Sequence, residues 1–571
     1  MNRWHPLVRG FSLLAFVALD ALHFPGASAP LAAQQAAPSA APPAAAQPVV
    51  DRYTYQIQLP DSGKFIQVNA LAHLAAYPQV DTVEFDLDDA MHVLGVRFLC
   101  GELREDARFV RAPGQVKVAI PRARDRTAGY TPAQTNCISI AYEGVPADGL
   151  IISTDSAGRW AAFGDNFPNR ARFWLASMDH PSRKARVTFE IIAPAARTVV
   201  ANGALVASKT MADGRAMTTW REDRPIPTYG MVIAAAPLAA HELGKTACGL
   251  AEDGGCVPQA VWTAPEQARY MPGQFSRAGE IVEFYARTVG AYPYEKLGHL
   301  QTTTRYGGME NPSAIFYFDR AFRRANGVND ELIAHETAHQ WFGDAVTERE
   351  WAHLWLSEGF ATFFAALWAQ HAHGDTAYAV AMMNNRAAVV RSSISASHAV
   401  IDSVEPDPNR LLNENSYQKG GLVLHMLRTS VLGDSLFFAG LRRYFAAHRH
   451  GNALTQDLQR ALEETSGRTL GWFFDEWLRR PGWAELRTSW AWDRATGAVT
   501  LLVDQEGRFG PYRLAMPIEV TNAAGERITV TVEIAAERSQ VIGLRGVRLD
   551  AAPASVVCDP RQTMLAVCTA K

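Results

Sequence analysis

The pattern His335-Glu336-Thr337-Ala338-His339 constrains this chain more than any other stretch. An α-helix places residues i and i+4 on one face, one turn apart, so both imidazoles can bind one metal ion. Glu336 would then lie beside that ion. The turn-forming pair Gly343-Asp344 follows, and Glu358 lies beyond it in a second helical pattern.

That second pattern runs from about residue 351 to 370. Two antiparallel helices joined by a short loop would bring Glu358 back over the first helix. Three protein ligands with one open position are typical of a catalytic zinc, whose bound water has a lowered pKa. H-E-x-x-H alone also arises by chance, and a glutamate on a helix surface is common, so the prediction depends on the combination. The apolar stripe of the second helix consists of Trp355, Leu356, Phe360, Phe363 and Phe364.

The other histidines of this region lack a partner at ligand spacing. We predict that they are surface or packing residues: His353, His371, His373, His425, His448 and His450.

Upstream of the helices lies Gly307-Gly308-Met309-Glu310-Asn311. A glutamate that follows two glycines, with no nearby cation in the sequence, suits a cationic ligand. An ordinary loop carboxylate remains the alternative at this point.

The overall charge is nearly balanced and does not indicate a strongly charged partner. The chain has 571 residues and a formal net charge of −3. A chain of this length divides into three or four domains. The near balance of charge argues against nucleic acid or an anionic membrane as the principal partner. The sequence leaves the oligomeric state unknown.

The amino terminus resembles a targeting segment. Arg3 and Arg9 precede an apolar run from Phe11 to Phe24 that Asp20 interrupts. A membrane span needs about 20 apolar residues, so a cleaved signal peptide is favoured over an anchor. We expect a signal peptide over 1–33 and an Ala/Pro-rich disordered linker over 34–48. The mature protein would be periplasmic or secreted, without a stable membrane span.

Six cysteines fit an exported protein. Proximity in sequence favours three disulfides, and buried free thiols are the alternative. The predicted pairs are Cys100 with Cys137, Cys248 with Cys256, and Cys558 with Cys568.

Periodicity divides the rest of the chain into three parts, which predicts a multidomain α+β fold. Residues 49–256 alternate in short apolar runs and indicate an antiparallel β domain. Residues 257–482 are mainly of helical periodicity and contain the metal pattern. Residues 483–571 return to strands and indicate a small β-sandwich.

Longer motifs resemble the gluzincin zinc aminopeptidase family, which includes puromycin-sensitive aminopeptidase and leukotriene hydrolase. The resemblance covers most of the exported chain. It depends on G-x-M-E-N at 307–311, H-E-x-x-H-x18-E at 335–358, Tyr417-Gln418-Lys419-Gly420, WLSEGFATFF around Glu358 and DEWLRRPG at 475–482. It implies a β-saddle domain, a thermolysin-like catalytic domain and a β-sandwich domain. The expected form is a bacterial-type one with three domains, without the large C-terminal helical domain of bigger members.

The resemblance also implies the site chemistry. One Zn²⁺ per chain would be bound by His335, His339 and Glu358. Glu336 would be the general base in removing the N-terminal residue from peptides with a free N-terminus. Glu310 would bind the substrate α-ammonium, and Tyr417 would stabilise the oxyanion. Gly307 and Gly308 would admit the substrate backbone as an added strand, and their neighbours Met309 and Asn311 would also belong to the substrate-binding segment.

The chain departs from the family pattern at one place. Relatives often carry Gln-x-Glu or Gln-x-Gln, whose second residue helps to hold the amine. Here Asp165 stands at the first position and Phe167 at the second. Our hypothesis is that Asp165 takes part of the amine-binding role and that Phe167 shapes the pocket for the first side chain.

Three alternatives remain. An endopeptidase could use the same metal ligands, although Glu310 argues against it. An epoxide hydrolase similar to the leukotriene enzyme would need lipid-pocket features that we do not identify. A non-catalytic peptide-binding scaffold would be expected to lose metal ligands or Glu336, and this chain retains all of them.

Overall fold

The computed structural model describes residues 48–75, 80–100, 104–120, 136–154, 158–248, 255–322 and 329–570. The predicted signal peptide at 1–33 and residues 34–47 of the predicted linker lie outside the described residues.

The N-terminal part is built of strands, as the sequence predicts. Its alternating apolar residues face the core; in Ala185–Pro194, for example, every second residue is buried. Its strands are β1 Val50–Gln58, β2 Ile66–Leu74, β3 Thr82–Asp86, β4 Met91–Phe98, β5 Glu105–Asp106, β6 Phe109–Ala112, β7 Gln115–Ala119, β8 Cys137–Gly144, β9 Leu150–Thr154, β10 Trp160–Gly164, β11 Ala185–Pro194, β12 Thr198–Ala201, β13 Ala204–Thr210, β14 Arg215–Ile226 and β15 Ile233–Ala236.

These strands form three sheets. The largest has eight strands in the order β13-β14-β11-β1-β2-β8-β4-β5. A four-stranded sheet has the order β12-β15-β10-β9, and a three-stranded sheet has the order β3-β7-β6. The expected antiparallel arrangement holds except that β1 and β11 pair in parallel, with Tyr55 opposite Phe189. Parallel neighbours need a long connection, and this one spans the strands from β2 to β10.

The central part combines helices with one mixed sheet. Its elements are β16 Ala239–Ala247, β17 Cys256–Thr263, α1 Met271–Gln274, α2 Ala278–Thr288, β18 Leu297–Thr302, β19 Gly308–Met309, β20 Ala314–Phe318, α3 Asp319–Phe322, α4 Asp330–His339, β21 Val346–Glu348, α5 Trp355–His373, α6 Asp375–Arg391, α7 Ser393–Ser397, α8 Gly420–Met426, α9 Asp434–His448, β22 Gly451–Ala453, α10 Thr455–Ser466 and α11 Gly471–Leu478.

The mixed sheet corrects one predicted domain boundary. Its order is β16-β17-β18-β20-β19, and β16 pairs antiparallel with β17. The boundary predicted at residue 256 therefore divides a hairpin whose two strands share one sheet. Its backbone hydrogen bonds to β17 place β16 in the central part. Its strand-like composition alone assigns it to the N-terminal β domain.

Helix α5 lies in the centre of the helical part. Most of its residues between Trp355 and Trp368 are buried, including the five predicted for its apolar stripe. A helix that is apolar on nearly all sides is covered on nearly all sides. Helices α4, α6 and α8 pack against it, which brings the two predicted metal-binding segments together.

The C-terminal part contains the predicted strands in two sheets, of order β27-β24-β23-β29 and β26-β25-β28. Arg386 joins this part to α6 by donating to the Ala566 carbonyl. None of the helices in the described ranges is both long and apolar enough to cross a lipid bilayer. The strands are β23 Ala484–Trp492, β24 Ala498–Asp504, β25 Leu514–Thr521, β26 Arg527–Ile534, β27 Ser539–Arg548, β28 Ser555–Cys558 and β29 Ala566–Ala570.

Two of the three predicted disulfides are present, Cys100–Cys137 and Cys558–Cys568. Cys256 lies opposite Ala247 in the β16–β17 hairpin, and the Cys248 amide donates to the Gly255 carbonyl. The hairpin thus brings both residues to one end, and their pairing stays a prediction.

Candidate metal centre

Helix α4 begins at a capping residue and carries the two histidines. The Asn329 side chain accepts a hydrogen bond from the Leu332 amide, and Asp330 and Glu331 occupy the first turn. Both features stabilise the amino end of a helix, the second by opposing its dipole. The Nε2 atoms of His335 and His339 lie 3.2 Å apart.

Glu358 completes the predicted triad from α5. Its Oε2 lies 3.5 Å from Nε2 of His335 and 3.4 Å from Nε2 of His339. Ligand atoms about 2.0–2.1 Å from a tetrahedral zinc ion are about 3.3–3.4 Å from one another. The three donor atoms therefore have the spacing that one tetrahedral ion requires. Burial alone would raise the pKa of Glu358, but the two histidines offset it and bring that pKa well below its ordinary value.

A second layer of contacts orients His339. Its Nδ1 lies 2.9 Å from the Ser357 hydroxyl and 3.2 Å from the Phe342 carbonyl. Because a carbonyl only accepts, the Nδ1 proton faces that carbonyl and leaves the lone pair of Nε2 directed at the metal position.

Tyr417 lies beside the triad. It occupies a π-helical turn, Asn415–Lys419, and its hydroxyl donates to Oε1 of Glu358 at 2.8 Å. Its ring is nearly parallel to that of His335, with centroids 6.1 Å apart. Gly359 and Gly420 bring α5 and α8 together here: a Cβ on Gly359 would lie 2.9 Å from the Gly420 Cα.

Strand β19 passes over Glu336. A Cβ added to Gly308 would lie 2.6 Å from the Cγ of Glu336, so glycine is required by this approach. Strand β19 is also the edge strand of the mixed sheet. An edge strand leaves one row of backbone groups available to an added strand.

Glu310 lies in the same site. One donor atom each of Glu310, Glu336 and His339 lies within 4.8 Å of the others, and both glutamates are buried. Burial raises the pKa of both carboxyl groups; His339 opposes this, and Glu358 adds to it. Bound cations would therefore stabilise the ionised forms.

Two other predicted residues of this segment belong to the interior. Met309 is 3% exposed and Asn311 is 0% exposed. Successive side chains of a strand point to opposite faces, so Met309 points away from Glu336, which lies on the Gly308 side. Met309 therefore packs in the interior of the structure, and a role for Met309 or Asn311 in substrate binding stays a prediction.

Asp165 has arginine partners in the structure. Its carboxylate is buried and engages two cations, with Oδ1 2.9 Å from Arg170 and Oδ2 3.4 Å from Arg305. These ion pairs occupy both oxygens and join the N-terminal part to the loop before β19. Asp165 therefore links the two parts, and a role for it in binding the substrate amine stays a prediction.

Phe167 lies inside an aromatic cluster with Tyr229, Tyr306 and Trp351. Its ring centroid is 5.1 Å from that of Trp351 and 5.5 Å from that of Tyr229. The Tyr229 hydroxyl donates to the Gly343 carbonyl, in the turn that follows α4. The cluster thus reaches the site from the N-terminal part, and a role for Phe167 in the side-chain pocket stays a prediction.

Sequence reasoning missed three buried polar residues next to the site. They are Gln340, Asp344 and Glu348, all 0% exposed. Glu348 ends β21 with neither carboxylate oxygen hydrogen-bonded among the described residues. Adjacency to Trp341 and Phe342 did not indicate the burial of Gln340, because neighbouring residues of a helical turn face different directions.

The site combines a mixed sheet that ends in an edge strand, two packed helices and a His₂Glu triad. This combination is typical of a metallopeptidase site. The peptidase family M1 domain matches residues 274–477, and the peptidase M1 N-terminal domain matches residues 115–229. The chain belongs to peptidase family M1.

Curated relatives agree with this assignment. Aminopeptidase N of Streptomyces lividans is 29% identical over 388 residues, which cover 63% of this chain and 44% of the relative. Leucyl aminopeptidase of Saccharolobus solfataricus is 28% identical over 368 residues, which cover 61% of this chain and 43% of the relative. The chain therefore spans less than half the length of these relatives.

A solved structure supports the fold. The M1 zinc metallopeptidase from Deinococcus radiodurans superimposes with a TM-score of 0.64 at 23% sequence identity. The match covers 76% of this chain and 94% of that chain.

Proposed function

We propose that this chain is a zinc-dependent aminopeptidase that removes the first residue of peptides with a free N-terminus. One observation carries the proposal: the buried carboxylate of Glu310 shares a site with Glu336 and the metal triad. A carboxylate at this place can bind an α-ammonium group only a few ångströms from the reacting atoms. An endopeptidase has no use for such a group.

His335, His339 and Glu358 would hold the metal. When bound, a zinc ion polarises a carbonyl and lowers the pKa of its water. Their donor atoms already have the required spacing, which limits the reorganisation that binding demands.

The chain's own groups carry the protons and hold the substrate. Glu336 takes a proton from the attacking water and delivers it to the leaving amine. Its pKa is raised by burial, and Glu310 and Glu358 add to that effect, so the carboxyl group can also hold a proton between the two steps. Tyr417 donates its hydroxyl to the oxyanion of the tetrahedral state, and it turns from Glu358 to do so. The substrate backbone pairs with the edge of β19.

The test is turnover of fluorogenic alanyl and leucyl amides, with and without a chelator. We expect activity that chelation removes and zinc restores, and no cleavage of the N-acetylated amides. Equal cleavage of acetylated and free substrates would contradict the aminopeptidase proposal. Metal binding without turnover of any aminoacyl amide would favour the non-catalytic scaffold.

We also propose that the chain is exported and that its signal peptide is cleaved after Ala33. The basic and apolar pattern of its first residues supports this, as do the disulfides Cys100–Cys137 and Cys558–Cys568, which need an oxidising compartment. N-terminal sequencing of the protein recovered outside the cytoplasm tests it. An intact N-terminus, or protein confined to the cytoplasm with reduced thiols, would contradict it.

A further inference from the structure

Gln340 makes four hydrogen bonds at the end of the metal-binding helix. Its Nε2 donates to the Glu310 carbonyl at 2.7 Å and to Oδ2 of Asp344 at 2.8 Å. Its Oε1 accepts from the Ser313 amide at 2.8 Å and, at 3.1 Å, from the Tyr292 hydroxyl, whose single proton it shares with the Lys296 carbonyl. A primary amide has two donors and two acceptor positions, so this side chain is fully satisfied.

Two of these bonds hold the segment that carries Glu310. They contact its backbone at residue 310, before the turn at 312–313, and again at Ser313, inside that turn. Ser313 has a φ of +63°, an unusual conformation for a residue with a side chain. The surrounding contacts must maintain such a conformation, and the Gln340 oxygen binds the Ser313 amide itself.

The other contacts of this segment come from elsewhere in the fold. Asn202 donates to the Pro312 carbonyl, and Lys296 donates to the Ser313 carbonyl. These two residues fix the segment to the strands behind it. Gln340 connects the segment to α4, because it directly follows His339, the last residue of α4 and a predicted metal ligand.

That connection determines a distance on which the reaction depends. Exopeptidase action requires the ammonium site to lie one residue from the metal, and a displacement of about 1 Å can cost a hundredfold in rate. Gln340 connects the backbone of the ammonium ligand to the metal helix through a single side chain. Its burial excludes water that could replace the lost bonds.

We propose that Gln340 is a positioning residue that holds Glu310 in register with the metal-binding helix. It contacts neither substrate nor metal. Its amide fixes the ammonium site through the Glu310 carbonyl and the Ser313 amide. This inference rests on the proposed aminopeptidase function and adds to it the residue that sets the spacing between the two halves of the site.

The test uses competitive inhibition, which does not require the variant to be fast. Leucinamide and N-acetyl-leucinamide are compared as inhibitors of Q340M, and the ratio of their inhibition constants reports the ammonium site. For Q340M we expect the preference for the free amine to fall about tenfold, the equivalent of one lost positioning contact of ~1.4 kcal/mol.

Two controls separate positioning from stability. D344N changes one partner of Gln340 and leaves both contacts to the Glu310 segment. K184M removes a buried ammonium that donates to the carbonyls of Asp344, Ala345 and Gly451, so it destabilises the same region without touching that segment. Both controls should keep the wild-type ratio, even where the melting temperature of K184M falls as far as that of Q340M.

The outcomes are distinct. A wild-type ratio in Q340M, or an equal fall of the ratio in K184M, would overturn the inference. If Q340M does not fold, the shorter amide of Q340N withdraws from Glu310 while it keeps the polar group, and the same comparison applies. A wild-type protein that binds both inhibitors equally would overturn the proposed function itself.

Discussion

A methyl group added at Gly308 should slow the chemical step without removing the metal. In Gly308→Ala, the new Cβ would lie 2.6 Å from the Cγ of Glu336 and closer still to its carboxyl group. Nonbonded carbons prefer separations of about 3.5–4.0 Å, so relief requires a shift of at least about 1 Å. A misplacement of about that size costs on the order of a hundredfold, or ~2.7 kcal/mol of transition-state stabilisation. The shift falls on the general base, and the metal ligands stay in place.

The assay is kcat for an alanyl or leucyl fluorogenic amide, together with the zinc content of the purified protein. We expect kcat to fall about a hundredfold while zinc stays at one per chain. Gly307→Ala is the matched steric control, because no atom of the described residues beyond its chain neighbours lies within 4 Å of its added Cβ. Since Gly307 is predicted to admit the substrate backbone, any effect should fall on KM, and kcat should change by less than about threefold. If Gly308→Ala keeps kcat near that of Gly307→Ala, the close approach of β19 does not control the base.

Further predictions concern the remaining groups. Tyr417→Phe keeps the ring beside His335 but loses the hydroxyl, and kcat should fall by about a hundredfold, or ~3 kcal/mol. Glu336→Gln should abolish turnover while zinc analysis still finds the metal, and loss of the metal would contradict its assignment as the base. Burial lowers the pKa of His299 to about 3, so the folded state stays neutral while the unfolded state gains a proton below about pH 6.5. The free energy of unfolding is therefore unaffected by this group well above that pH and falls as the pH falls, by about 1.6 kcal/mol between pH 6.5 and 5. The loss should be smaller in His299→Gln when denaturant midpoints are compared at the two pH values.

The sequence predicts local structure where the period is clear. The alternation over residues 186–192 became β11, and the apolar stripe beginning at Trp355 became α5. Spacing also placed His335, His339 and Glu358 correctly, because helix geometry relates residues separated by one turn and a short loop fixes the direction of the next helix.

Pairing partners and long-range contacts could not be read in this way. The parallel pairing of β1 with β11 and the membership of β16 in the central sheet depend on backbone hydrogen bonds that leave no pattern in composition. Asp165 has the residue type of an ammonium ligand, and only the fold brings Arg170 and Arg305 to its two oxygens. Gln340 likewise gains its role from the fold, because three of its four partners, at Tyr292, Glu310 and Ser313, lie 27 to 48 residues away in the sequence.

The contact between Gly359 and Gly420 has a consequence for how such a chain can vary. Gly359 directly follows Glu358, and Gly420 lies three residues after Tyr417, so the backbones meet between the two functional side chains. A Cβ at either glycine would lie 2.9 Å from the other's Cα. Any larger residue there would act as a spacer and move the hydroxyl of Tyr417 relative to the metal position. These glycines set the separation of the two helices. A larger residue at one cannot be compensated at the other, because no residue is smaller than glycine.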